Sequence, residues 1–273
     1  MSRKRVAEAF PFLLPIRETQ RKMRFYAGMK FDGRSYAEIV RGEQLLYTLF
    51  EDRRALYNRN AGFDMVYQEN KVFNLKQAAR TLNGLLIRPG ETFSFWRLVR
   101  CADKEAPYKD GLMVTNGKLT TSYGGGMRQM SNLLFWLFLH TPLTVIERSG
   151  HEAKEFPEPD SGEIKGVDAT ISEGWIDLKA RNDTNCTYQI SVSFDDEHII
   201  GTVFVDQQPR ALYNVVNGGI EYCRDNGAIY EYVKVERTEI DADKGEAQGI
   251  KPLYANRCKI CYPLPDSTEI KEA

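Results

Sequence analysis

Apolar positions along this chain follow two periods, and the change between them falls near residue 165. Before it, steps of three and four dominate. In SYAEIVRGEQLLYTLFEDRRALYNR, residues 35–59, Ser35 and Glu38 stand at capping-box spacing ahead of apolar residues at helical intervals, which predicts a helix despite Gly42. The next helix is expected over NKVFNLKQAARTLNGLLIRPG, where Val72, Leu75, Ala79, Leu82 and Leu86 form one stripe and Pro89-Gly90 stops it. TFSFWRLV then reads as a strand, and GLMVTNGKLTTSY as a hairpin turning at Asn116-Gly117. The run Leu133–Leu139 is apolar nearly all round, so its helix has to be central and covered on most sides. Pro142 ends it, and LTVIER reads as a strand leading to His151.

After residue 165 the period becomes two. Ile176, Leu178 and Ala180 alternate with polar residues, as do Tyr188, Ile190, Val192 and Phe194, and IIGTVFVD follows a turn. That is an antiparallel meander with one wet face. ALYNVV, GAIYEYVKVERTEI and PLYANRCKICYPLP predict further strands, with a turn at Gly218-Gly219. The fold class expected is α+β: N-terminal helices, a central buried helix packed on an antiparallel sheet, and a C-terminal β-rich lobe. The composition shift at FPEPDSGEIKG, residues 156–166, marks the change of lobe.

Composition narrows the function classes. Lys plus Arg number 37 against 38 Asp plus Glu, a balance that argues against a nucleic-acid binder. The apolar run AFPFLLPI contains Pro11 and Pro15 and lacks a small-residue cleavage site, so it does not read as a secretory signal. No window reaches the roughly 18 apolar residues of a membrane span. A cytoplasmic protein is therefore expected, with its five cysteines free. The basic residues near the start (Arg3, Lys4, Arg5, Arg17, Arg21, Lys22, Arg24) would suit a membrane surface, but the commoner origin of such a run is a solvated helix face, which is the reading expected here. Cys258 and Cys261 form a lone CxxC followed by prolines, a weak metal or redox signal, and no cofactor is expected.

The chemistry gathers at TTSYGGGMRQMSNLL. Gly124, Gly125 and Gly126 permit positive φ and let backbone amides face one point at a helix head, an anion-friendly place. The opposing reading is a tight turn into a buried helix, with glycines for close packing. Arg128 stands where the dipole would activate a thiol, and it cannot act as a nucleophile. Buried, its permanent charge calls for an anion from the protein or a ligand. His151, 23 residues on, would be the general base of a nucleophile–histidine pair. Glu147, Glu152, Glu155 and Asp160 are the carboxylates available to orient His151 or pair with Arg128. Gln129 and Ser131 complete the ligand-binding candidates.

NLKQAARTLNGLLIRPGETFSFW, YKDGLMVTNGKL, GGGMRQMSNLLFWLFLHTPLTVIER and GVDATISEGWIDLKARNDT together resemble the VanW family, which accompanies glycopeptide (vancomycin-type) resistance. The flanks FPFLLPIRETQRK, FYAGMKFDG and YANRCKICYPLP extend the likeness over nearly the whole chain. The resemblance implies a core over residues 70–200, a helical extension over 1–69 and a β-rich extension over 201–273. Family members usually carry cysteine at position 128 and two histidines after the Glu-Arg pair, where this chain has Ser149 and His151. It implies an accessory role in resistance without an established reaction. The ligand would be a peptidoglycan precursor peptide ending in D-Ala-D-Ala, or the partner another resistance protein. The alternatives are a cysteine-type amidase or transpeptidase silenced at Arg128, and a protein that only bridges others.

Overall fold

The computed structural model describes residues 14–58, 62, 64–115, 118–155, 157 and 164–272. Residues 1–13, the Asn116-Gly117 turn, Asp160 and most of the 156–166 boundary lie outside them. The helices are α1 (Leu14–Phe31), α2 (Met65–Leu82), α3 (Phe95–Val99) and α4 (Met127–Leu139). The strands before α4 are β1 (Ser35–Tyr36), β2 (Tyr47–Ala55), β3 (Leu85–Ile87), β4 (Glu91–Ser94), β5 (Asp110–Thr115) and β6 (Lys118–Tyr123). After it come β7 (Thr144–Glu147), β8 (Ala153–Lys154), β9 (Lys179–Arg181), β10 (Tyr188–Phe194) and β11 (His198–Val205). The last four are β12 (Ala211–Asp225), β13 (Ala228–Asp241), β14 (Ala247–Ile260) and β15 (Ile270–Glu272).

These strands form sheets in the orders β1-β4-β9-β7, β2-β11-β10-β3 and β15-β12-β13-β14-β8, with β5-β6 as a separate hairpin. Helix α4 touches all three larger sheets. Leu133 and Leu137 lie on Gly201 of β11, where a Cβ would come within 2.8 Å of Leu137. Phe138 meets Phe93 of β4 edge to face with ring centroids 5.0 Å apart, and Phe135 lies 5.9 Å from Tyr254 of β14. Each such side chain contributes about 1.5–3 kcal/mol on leaving water. Arg237 of β13 donates to the Leu139 and Thr141 carbonyl oxygens just past the helix, placing a cation at the negative end of its dipole. The α+β class and the central helix stand as expected.

Four local expectations change. Residues 47–55 are a strand rather than part of a helix. Val203, Thr202 and Gly201 of β11 pair with Phe50, Glu51 and Asp52, and this pairing overrides the helical spacing of the apolar residues. The only helix among the described residues before position 65 is α1. Helix α2 ends at Leu82, well before Pro89: Asn83 turns to extended backbone and Gly84 follows at φ +84, packed so close to the Arg41 carbonyl oxygen that a Cβ would lie 2.3 Å from it. TFSFWRLV splits after Ser94, whose Oγ accepts from the Arg97 amide at 3.3 Å and starts α3. Gly218-Gly219 is not a turn. It lies within β12 at a register shift against β13, where a Cβ on Gly218 would strike the Glu236 carboxyl at 2.1 Å.

The glycine elbow is seated by the hairpin. Gly111 of β5 and Gly125 cross backbone to backbone, so a Cβ on Gly125 would lie 2.2 Å from the Gly111 carbonyl oxygen. The Gly125→Ala variant should therefore lose about 1–3 kcal/mol, the usual range for overpacking. Gly219→Ala, which meets nothing within 4 Å, should stay close to the parent. Chemical denaturation of both variants checks this; equal midpoints would remove the packing account.

Candidate functional site

Helix α4 begins at the glycine elbow because Gly124 (φ +70) and Gly126 (φ +103) adopt left-handed backbone that residues with a Cβ rarely take. Asn74 of α2, fully buried, fixes that turn. Its amide nitrogen donates to the carbonyl oxygens of Lys109 (2.8 Å) and Gly125 (3.0 Å), and its carbonyl oxygen accepts from the Lys109 amide at 2.8 Å. The Gly124 amide donates to Lys109 and the Gly125 amide to Ser122, so these two amides are engaged within the turn rather than aimed at a common point.

Arg128 is the second residue of α4, half-buried. Its Nη1 lies 2.7 Å from His151 Nε2. On the other side of the ring, His151 Nδ1 lies 2.6 Å from Asp168 Oδ2, which also accepts from the His151 backbone amide at 2.8 Å. Because a guanidinium only donates, the contact assigns the lone pair to Nε2 and the proton to Nδ1. The ring is therefore neutral and passes a hydrogen-bond chain from Arg128 to Asp168.

Register explains why these residues meet. Ser149 bridges Thr170 antiparallel, and in that alignment His151 falls opposite Asp168. The same segment is stitched to α4: Ser131 Oγ donates to the Ala169 carbonyl oxygen at 2.6 Å, and the Ala169 amide donates to Asn132 Oδ1 at 2.8 Å. Arg148 holds Asp168 from behind, through the backbone oxygen at 2.7 Å and Oδ1 at 3.1 Å. Its guanidinium lies 4.6 Å from the Tyr254 ring centroid.

The electrostatics follow. Burial alone would raise the Asp168 carboxyl, but hydrogen bonds from the His151 ring and backbone amide, together with the charge of Arg148, prevail and hold it below its ordinary value. Burial lowers the Arg128 guanidinium, with Asp168 opposing that shift, and Arg128 remains a cation. No carboxylate touches Arg128 directly among the described residues; its hydrogen-bond partner is the neutral ring.

Arg128 also lines a cavity of about 680 Å³ with Arg54, Gln129, Asn132, Trp136 and Asn214, between apolar walls that include Leu133 and Val215. Of the other candidate residues, Gln129 stands at this cavity and donates to the Ala55 carbonyl oxygen at 2.7 Å. Ser131 is fully buried and ties the helix to Ala169. Glu147 is occupied with Lys179 at 2.8 Å and the Asp177 amide, while Glu152 and Glu155 are exposed. Cys258 is buried in β14 and Cys261 exposed just beyond it. Sequence reasoning missed Asp168 and Arg148. Their signal was an acid set between Val167 and Ala169 in an otherwise apolar stretch.

A depressed carboxyl stabilises the folded state above the ordinary carboxylate range, and that contribution disappears as the pH falls below about 4. Asp168→Asn should lower thermal stability at neutral pH and flatten the loss on acidification. Melting curves across the acid range check this, and an unchanged acid limb would remove Asp168 as its source.

The VanW family profile, described as VanW like protein, matches residues 70–204. The vancomycin B-type resistance protein VanW of Enterococcus faecalis is 69% identical over 273 residues, covering 100% of this chain and 99% of that protein. The uncharacterized protein YoaR of Bacillus subtilis is 28% identical over 117 residues, 43% of this chain and 37% of that protein. No solved structure matches. With an identity that high across its full length, the chain belongs to the VanW family.

Proposed function

We propose that the protein is a cytoplasmic accessory factor of glycopeptide resistance that binds a cell-wall precursor peptide by its terminal carboxylate. The resistance role follows from the likeness to the Enterococcus faecalis protein over the whole chain. The cytoplasmic placement accords with a fold in which no described helix is long and apolar enough to cross a membrane.

The observation that carries the ligand is the charge of Arg128. Arg128 borders the cavity, yet its protein partner is an uncharged imidazole, and Asp168, the carboxylate whose charge acts on it, is engaged by His151 and Arg148. A half-buried cation left so gains most from an anion arriving in the cavity, where carboxylate and guanidinium pair in two parallel hydrogen bonds. Asn132, Gln129 and Asn214 offer amide groups for peptide bonds, while Trp136, Leu133 and Val215 suit small aliphatic side chains. Isothermal titration with a peptide ending in D-Ala-D-Ala should show binding, weakened about 10- to 100-fold in Arg128→Ala and by amidation of the terminus. No heat with the unaltered protein, or equal affinity for the amidated peptide, would sink this reading.

The relay favours a second reading. Asp168 fixes the histidine tautomer and points the Nε2 lone pair at residue 128, at the head of a helix, which is the layout of a cysteine–histidine–aspartate triad. In that reading the chain retains base and orienting acid while Arg128 stands in place of the nucleophile. An Arg128→Cys variant should then alkylate at neutral pH faster than the exposed Cys101 and Cys261, and His151→Ala should abolish the difference. Matching rates at all three thiols would rule it out.

A further inference from the structure

We propose that the outward face of α1 binds a bilayer carrying anionic headgroups. The helix holds five basic residues, Arg17, Arg21, Lys22, Arg24 and Lys30, against the single acid Glu18, in a chain whose net charge is −1. Its inward side is firmly seated. Lys22 pairs with Glu173 at 2.7 Å, Tyr26 donates to Glu173 at 2.7 Å, and Met29 is buried. A Cβ on Gly174 would lie 3.2 Å from the Lys22 backbone, so the helix and the 173–175 segment touch main chain to main chain.

The side turned away from the protein is not the charged surface that a merely solvated helix would show. Ile16, Met23, Ala27 and Phe31 follow at helical intervals along one exposed stripe that Gln20 interrupts, with Ile16 53%, Met23 60% and Phe31 87% exposed. At 100° per residue, Arg17 and Arg24 project along one flank of that stripe and Lys30 along the other. None of these three cations has an ion-pair partner among the described residues. Beside the helix, Trp175 is 67% exposed, with the Arg21 guanidinium 5.4 Å from its ring centroid.

An apolar stripe bordered by cations, with an amphipathic aromatic at its edge, is the pattern of a helix lying in the plane of a membrane interface. Apolar side chains enter the headgroup boundary, the basic residues meet phosphates, and an indole settles at the same depth. A protein groove would supply apolar cover to Phe31 and Met23 equally well. The charge excess concentrated on this helix selects the anionic surface.

Co-sedimentation with vesicles tests this directly. The full chain should bind phosphatidylcholine vesicles containing phosphatidylglycerol, bind phosphatidylcholine alone far more weakly, and release as salt rises. Arg17→Gln with Arg24→Gln should weaken partitioning about 25-fold, taking roughly fivefold per basic residue. Met23→Ser with Phe31→Ser should weaken it at least about tenfold, since both side chains leave the interface. Arg80→Gln, an exposed cation on α2, should change nothing. Circular dichroism verifies that each variant folds. Absence of binding to the anionic vesicles, or retained binding in the serine double variant, overturns the proposal. So does self-association of the parent that the serine variant abolishes, which would give the stripe to a second copy.

Discussion

The burial of α4 is the constraint from which the architecture proceeds. Nine of its thirteen residues are buried, around roughly two thirds of the helix circumference, leaving only the face of Arg128, Gln129, Asn132 and Trp136 to the cavity, and no single sheet covers that much of a cylinder. Sheets therefore approach from three directions, through Gly201, Phe93 and Tyr254, and a basic side chain from the C-terminal sheet meets the helix end. The site inherits its rigidity from this arrangement. Arg128 cannot drift, because the helix that carries it is fixed along its length.

The relay behind Arg128 is built by a short antiparallel bridge rather than by neighbours in sequence. Ser149 against Thr170 sets the register, and Ser131 and Asn132 sew the same segment to the helix. Three elements converge, each held by backbone contacts. The position of the histidine ring is thus determined by main-chain geometry on one side and a buried carboxylate on the other. A permanent cation at residue 128 completes a hydrogen-bond chain that contains no mobile proton on its outer end.

Much of this was legible from periodicity, where burial dictates the pattern. The all-apolar run gave α4, and the alternation at Tyr188, Ile190 and Val192 gave β10. The stretch 47–55 was misleading because its burial alternates while its hydropathy does not: the less exposed positions after Phe50 are Asp52 and Arg54. Its Leu49 and Phe50 are adjacent in sequence and read equally well as part of a helical stripe, and only β11 decides between the two. At the site, Arg128 and His151 were visible as residue types of the right chemistry on two predicted elements. Asp168 was not, since its role depends on a bridge register that no local pattern announces. The glycines showed the complementary error: their number signalled a special turn, while the structure uses Gly125 for close approach and engages two of the three amides.

The outer strand β2 bears on how the family's members are assembled. The profile match begins at residue 70, yet β2 pairs along the whole of β11 and thereby closes one side of the sheet beneath α4. A relative that shares only the matched region inherits a sheet with an open edge. That edge of β11 needs its own protection, by a strand, a covering loop or charged side chains, as β2 supplies it here. In this chain the matched region is therefore not a self-contained layer: the strand that covers its β11 edge comes from ahead of residue 70.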